Sequence, residues 1–341
     1  MKHIRARRGR LVAAGATVAV VALATLAIPT ASQAAGRPTG PGTPASGAWF
    51  GAVANPDRST PDGTPAEVTT LETQIGRPLA IDHRFYTYKE AFLPVDNAVG
   101  MSDEAWDWAN GRYSMITWGA NDTLQYENGS QDAWVTSQAQ RLAAFGHPIF
   151  LRFFHEPDGD YRKNTVHTAA DYIAAWRHVH DLFLQAGATN VIWVWCPTAW
   201  KFNVKNPTPP SFYPGDDVVD WIAADGYNWA PAKPGAQWRS FAQVFQKFYN
   251  WAITKNKPLM VAEYGVLEDP SVPGRKAQWL TDAATTLQTT MTQFQAALYF
   301  DTTMTKGGIT YKWDLDSSQT SLDAWAAMGQ GSYFSGMPPL Q

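Results

Sequence analysis

Two glutamates stand where carboxylate chemistry could be run. Glu156 follows the apolar run "PIFLRFF", and Glu263 lies in "KPLMVAEYG", far along the chain. Each comes at the end of a short stretch rich in β-branched and aromatic residues, the kind that forms buried strands. If two strands deliver both carboxyls to one rim, one can protonate a leaving oxygen while the other attacks an anomeric carbon, the pair used in glycoside hydrolysis. In a retaining enzyme the two stand about 5 to 5.5 Å apart. The acid must hold its proton, through burial or the neighbour's charge, and the nucleophile must stay ionised. The competing reading is structural: each glutamate is a strand-end carboxylate tied to an arginine or a helix terminus.

Strands must position these groups, and eight candidates can be read. They are "AWFGAVA" from Ala48, "PLAIDHRFY" from Pro78, "RYSMITWG" from Arg112, "PIFLRFFHE" from Pro148, "NVIWVWCP" from Asn190, "VVDWIAADGYN" from Val218, "KPLMVAEYG" from Lys257 and "QAALYFD" from Gln295. Longer stretches of helical period alternate with them, such as "AADYIAAWRHVHDLFLQAG" with Gly187 as its stop, and one more closes the chain near "SLDAWAAMG". This alternation predicts a (β/α)8 TIM barrel, an α/β single catalytic domain over 48–341, with its chemistry on the face where strands end. A doubly wound open sheet is the rival. It usually carries a Gly-rich phosphate loop after its first strand, and "FGAVANPD" has none. Glu156 would end the fourth strand and Glu263 the seventh.

The composition suits this fold. Of 341 residues, 45% are hydrophobic and 17% charged, enough to bury a sizeable core. The 16 Trp, 13 Tyr and 16 Phe exceed what such a core requires, so some aromatics are expected to face a ligand. The first 35 residues combine a basic start, an apolar run and small residues at Ala31, Ala34 and Ala35, the layout of a bacterial-type export signal. Arg7 and Arg8 admit a twin-arginine route. The expectation is a secreted protein, cleaved near Ala34 or Ala35, with residues 36–47 a Gly/Pro-rich leader; the alternative is an uncleaved anchor. Losing Lys2, Arg5, Arg7, Arg8 and Arg10 would take the net charge from -3 to -8. Such a surface repels nucleic acid. Cys196 is the only cysteine, which excludes an internal disulfide and cysteine-based zinc, and it reads as a buried strand residue. No H-E-x-x-H occurs, and Asp158 and Asp160 lack the remaining ligands of an EF-hand loop, so neither metal nor cofactor is assigned. His167, His178 and His180 read as surface residues.

The segment "LRFFHEPDGDY" resembles the acid/base signature of glycoside hydrolase family 26, usually His-Glu followed by Met-Asn-Gly and an aromatic; "YPGDDVVDWIAADGYN" and "KPLMVAEYG" resemble its next landmarks in order. The resemblance runs from the fourth strand to the seventh. It implies a (β/α)8 fold, a retaining mechanism and no cofactor, with Glu156 as general acid/base and Glu263 as nucleophile. It makes His155 and Tyr227 neighbours that position the sugar and the nucleophile. The family is best known for endo-β-1,4-mannanases, with some members acting on mixed-linkage β-glucan or β-1,3-xylan. Pro157, Asp158 and Tyr161 depart from the usual Met, Asn and Trp. Because they flank the bond being cut, they leave substrate preference less secure than the chemistry.

Trp118, Trp200, Trp229 and Trp313 lie at or beyond strand ends, where indole faces can stack on sugar rings; packing is their alternative. Trp195 sits within a strand and belongs to the core. Arg152, four residues before Glu156, should point into the barrel, where a charge needs a partner; orienting a carboxylate and forming a structural salt bridge are both open. His83 could touch substrate or be a hydrogen-bonded structural residue. The expectation is therefore a monomeric, secreted endo-β-glycanase acting on a polysaccharide, mannan first and β-glucan or β-1,3-xylan as alternatives. The alternative of another class is a non-catalytic polysaccharide-binding barrel.

Overall fold

The computed structural model describes residues 43–55, 63–96, 100–203 and 208–339. The expected export signal and most of the leader lie outside the described residues. Eight parallel strands close into a barrel: β1 (Trp49–Ala54), β2 (Ile81–Tyr86), β3 (Tyr113–Trp118), β4 (Ile149–Phe153), β5 (Val191–Trp195), β6 (Trp221–Asn228), β7 (Leu259–Val266) and β8 (Phe294–Asp301). Each pairs with its sequence neighbours, and β8 closes against β1 in the register Trp49 with Ala296 through Ala54 with Asp301. The eight strands match the eight read from the sequence.

Helices pack outside: α1 (Pro65–Ile75), α2 (Asp103–Ala109), α3 (Asp132–Phe145), α4 (Ala169–Gln185), α5 (Phe241–Ala252), α6 (Arg275–Thr289) and α7 (Gln319–Gln330). Their starts are written in local chemistry. The Thr168 side chain and Asp171 form a reciprocal capping box on α4, and Ser240 with Gln243 does the same on α5. One expected helix is missing among the described residues. Between β5 and β6 the chain makes 3-10 turns at Ala199–Asn203 and Pro209–Phe212 instead. Pro197, Pro207, Pro209, Pro210 and Pro214 crowd that segment, and proline removes the N–H that an α-helix interior needs.

The strands are buried on both faces, as parallel sheets require. Outward residues meet the helices in one large apolar layer. Inward residues fill the barrel: Trp49 stacks on Trp221 with centroids 6.0 Å apart and meets Tyr113 and Phe150 edge-on, among Met115, Val194, Met260 and Leu298. There is little room beside them. A Cβ on Gly51 would come within 2.5 Å of the Ile81 carbonyl oxygen, so β1 passes β2 only because that position has no side chain. The apolar filling plugs the lower barrel. Above it the inward positions become polar, with His83, Thr117, Arg152, Cys196, Asp225 and Glu263, all of them buried.

Candidate active site

Arg152 organises this polar layer. It is the fourth of five residues in β4, points inward, and is fully buried. Its Nη1 donates to both oxygens of Asp225, at 2.7 and 2.8 Å, and its Nη2 donates to Oε1 of Glu263. Nε donates to Thr117 Oγ1 at 2.6 Å. Burial works against the guanidinium charge, but Asp225 and Glu263 outweigh it and hold its pKa well above the ordinary value. Both of the open readings for Arg152 therefore meet in one residue: it is a buried ion pair, and it holds a candidate catalytic carboxylate.

Glu263 lies inside β7, three residues before the strand's last residue, and not at its tip. Its second oxygen, Oε2, accepts from the Tyr227 hydroxyl. With Arg152 on one oxygen and Tyr227 on the other, the group is held by donors alone, the surroundings of an acceptor-only carboxylate. Burial first and the charge of Glu263 second keep the Tyr227 phenol well above its usual range, so it stays protonated and able to donate. Trp313 lies against Tyr227 with centroids 4.8 Å apart and backs it.

Glu156 is delivered differently. The chain leaving β4 places two non-glycine residues in the left-handed region, Phe154 at φ 48° and Glu156 at φ 49°. Such backbone persists only where the surroundings impose it. Here the Phe154 N–H donates to the Trp118 carbonyl at 2.9 Å, and the Glu156 N–H to the Cys196 carbonyl at 2.7 Å. The turn directs the Glu156 side chain into an open cavity of about 580 Å³. Burial, then the charge of Glu263, raises its pKa; Tyr161, Arg152 and Arg162 oppose the rise without cancelling it. The Tyr161 hydroxyl donates to Glu156 Oε2 at 2.5 Å. One carboxyl is thus biased toward its acid form beside another dressed as an anion, a division of labour by environment.

The remaining residues divide by exposure. His155 is half-buried beside Phe85 and Arg162; burial, then Arg152 and Arg162, holds its pKa well below normal, so it is neutral. Trp200 is 40% exposed and lines the cavity with the Arg239 guanidinium 4.0 Å from its ring centroid. Trp229 is half-buried on the same wall. Trp118 and Trp313 correct the expectation, since both are fully buried and offer no face to a sugar. Tyr113, Met115 and Thr117 point into the barrel, so alternation turns Trp118 outward against Phe92 and Phe153. Trp195 lies in the core against Tyr213 and Trp251. His83 is structural: fully buried, its Nε2 is 2.7 Å from Thr117 Oγ1 and 3.3 Å from Arg152 Nη2. His180, expected at the surface, is 2% exposed and packs on Trp193. Asp158 accepts the Thr198 N–H at 3.0 Å, and burial pushes its pKa up to about 7. Asp160 reaches Lys201 at 2.9 Å.

Sequence reasoning misses Asp225, although it lies within "VVDWIAADGYN". Trp221 and Ala223 point inward, so counting by twos along β6 would have placed it beside Arg152. Cys196, also buried, brings its thiol within 3.2 Å of Asp225 Oδ1.

The sequence model of glycosyl hydrolase family 26 matches residues 122–306, more than half of the chain and the span that holds both glutamates. The chain belongs to glycosyl hydrolase family 26. Endoglucanase H of Acetivibrio thermocellus is 35% identical over 300 residues, covering 84% of this chain and 30% of that protein. This chain therefore spans less than a third of that relative's length. The β-1,3-xylanase TXYA of a Vibrio species is 30% identical over 141 residues, 40% of this chain and 27% of that one. The mannan endo-1,4-β-mannosidase A and B of Caldalkalibacillus mannanilyticus is 30% identical over 129 residues, 35% of this chain and 22% of that one. Among solved structures, a family 26 β-mannanase from Bacteroides ovatus is similar with TM-score 0.59 at 16% identity, over 85% of this chain and 90% of that one. At that identity the likeness speaks for the shared barrel.

Proposed function

We propose that this family 26 protein is a secreted, retaining endo-β-glycanase and that β-glucan is its first substrate. The observation that carries the chemistry is the opposite dressing of the two glutamates at one barrel mouth. Glu156, biased toward its neutral form, protonates the glycosidic oxygen, and Glu263 attacks the anomeric carbon to give a glycosyl-enzyme. Glu156, now a carboxylate, then takes a proton from the water that attacks the same carbon, and Glu263 leaves. Arg152 and Tyr227 hold the nucleophile throughout. Trp200 and Trp229 offer aromatic walls to the sugar chain in a cavity of about 580 Å³. Residues 1–35 support export.

The order of substrates changes from the one the sequence suggested. Likeness to an endoglucanase at 35% identity covers 84% of this chain, whereas likeness to a mannosidase covers 35%. Pro157, Asp158 and Tyr161, which depart from the usual mannanase residues, flank Glu156 and agree with that order. Mannan is the second reading, carried by the mannosidase relative. The test is reducing-end release from barley β-glucan, carboxymethyl cellulose, glucomannan, galactomannan and β-1,3-xylan by wild type, Glu156→Ala and Glu263→Ala. Activity strongest on a β-glucan and lost in both variants supports the proposal. Activity confined to the mannans moves the substrate to the second reading, and unchanged activity in either variant refutes the catalytic pair.

A further inference from the structure

We propose that Tyr161 is a positioning residue for the acid/base carboxyl, holding Glu156 Oε2 so that Oε1 faces the bond to be cut. This rests on Glu156 having the acid/base role. Its basis is the contact at 2.5 Å together with the way the loop is built to make it. Tyr161 lies five residues beyond Glu156, in the 3-10 turn Asp160–Arg162, and its ring folds back across Gly159. A Cβ on Gly159 would sit 2.6 Å from Tyr161 Cε1 and 3.1 Å from the Glu156 carbonyl oxygen. Gly159 has an ordinary φ of -66°, so its lack of a side chain serves the passage of the ring and not an unusual backbone. The Gly159 N–H donates to the Glu156 carbonyl at 2.9 Å, which closes the loop under the ring. Arg162 and Lys306 flank the ring at 4.8 and 5.0 Å from its centroid. Lys306 comes from the hairpin that follows β8, so the ring is braced from two sides of the barrel.

A hydroxyl in this place fits both halves of the cycle. While Glu156 is an acid, its proton sits on Oε1, and Oε2, the carbonyl oxygen, accepts the Tyr161 O–H. When that proton passes to the leaving oxygen, Glu156 becomes a carboxylate and the same hydrogen bond becomes charge-assisted and stronger. Tyr161 is 51% exposed, but its hydroxyl is crowded against Glu156, and this local desolvation and then the charge of Glu156 raise its pKa, so it keeps its own proton. The contact therefore fixes which oxygen is the donor and favours the anion produced in the first step. The ionisable groups around Glu156 are Glu263, Arg152, Arg162, Asp158, Asp225 and Tyr227, so Tyr161 is one contribution among several.

The experiment is a carbon-13 NMR titration of the Glu156 carboxyl in wild type, Tyr161→Phe and Gly159→Ala, with kcat/KM pH profiles on β-glucan and on an aryl glycoside with a good leaving group. Losing one charge-assisted hydrogen bond should raise the Glu156 pKa by about one unit in both variants and move the alkaline limb upward by the same amount. The loss in kcat/KM should be about tenfold on the polymer and smaller on the aryl glycoside, which needs less protonation. A Glu156 titration unchanged in both variants, with only KM raised, would mean that Tyr161 touches sugar alone and would overturn the proposal. The NMR titration needs no substrate. Absence of wild-type activity on every glycan would count against the function, while the titration still decides the contact. Gly159→Ala keeps the phenol, so a shift in that variant would not come from a missing hydroxyl elsewhere in the fold.

Discussion

Arg152 donates from a single Nη1 to both carboxylate oxygens of Asp225, at 2.7 and 2.8 Å, with neither residue exposed to solvent. Its other amino group holds Glu263. Replacing it by a neutral chain of similar length strands two buried carboxyls. Arg152→Met is expected to destabilise the fold by about 3–5 kcal/mol, the usual cost of breaking a buried pair by removing one partner. Urea unfolding measures this directly. Asp225→Asn leaves one good acceptor for Arg152 and should cost less stability while still lowering kcat, because Arg152 then swings away from its Glu263 geometry.

Tyr227→Phe removes one of the two donors on Glu263 while keeping the ring that packs on Trp313. A hydrogen bond to a charged group contributes about 1.5–3 kcal/mol, so kcat/KM should fall by roughly 10- to 100-fold with little change in Tm. Steady-state kinetics with a melting curve separates the two effects. A fall in Tm that accounts for all of the lost activity would contradict the role given to the hydroxyl.

Stability should depend on pH through Asp301, fully buried at the end of β8 and accepting the Leu315 N–H at 2.7 Å. Burial pushes its pKa up to about 7. An unfolded aspartate releases its proton near pH 4, so between about pH 4 and 7 the folded state holds a proton that the unfolded state has lost. Stability due to this group is therefore present below that window and declines as pH rises through it, by about 4 kcal/mol at most. Asp158, with a pKa also pushed up to about 7, adds in the same direction. Asp301→Asn keeps the acceptor for Leu315 and should flatten the slope of unfolding free energy against pH across the window; an unchanged slope would contradict the assignment.

Two tryptophans should behave oppositely. Trp200, 40% exposed on the cavity wall, should lose binding when cut to alanine, with KM raised about fivefold and Tm nearly unchanged. Trp118, fully buried, should cost about 3–5 kcal/mol of stability when cut to alanine. Kinetics and urea melts on the two variants check both.

That contrast marks where the sequence was legible. The eight strands, the inward course of Arg152 and the two glutamates at one barrel mouth follow from short apolar runs and their spacing, which report local structure. Nearness to a strand end points Trp118 toward a ligand, whereas parity from Met115 and Thr117 turns it outward. Asp225 could have been found by the same counting along β6. Trp313 could not, because its burial depends on Tyr227 and Trp229, which are distant along the chain. The left-handed backbone at Phe154 and Glu156 was equally hidden, since neither residue is glycine and the hydrogen bonds that hold them come from β3 and from just beyond β5. The missing helix between β5 and β6 is signalled by Pro197, Pro207, Pro209, Pro210 and Pro214.

The proposed double displacement, with Glu263 as nucleophile and Glu156 as acid/base, fixes the stereochemistry of azide rescue. It is tested most directly by supplying azide to Glu156→Ala and Glu263→Ala with an activated aryl β-glycoside of a β-glucan oligosaccharide and determining the configuration of the glycosyl azide formed. Without its acid/base, the enzyme should still form the glycosyl-Glu263 intermediate, which azide opens to a β-glycosyl azide. Without its nucleophile, azide should displace the leaving group directly and yield the α-glycosyl azide. The reverse pairing of products, or wild-type turnover in either variant, would contradict the account.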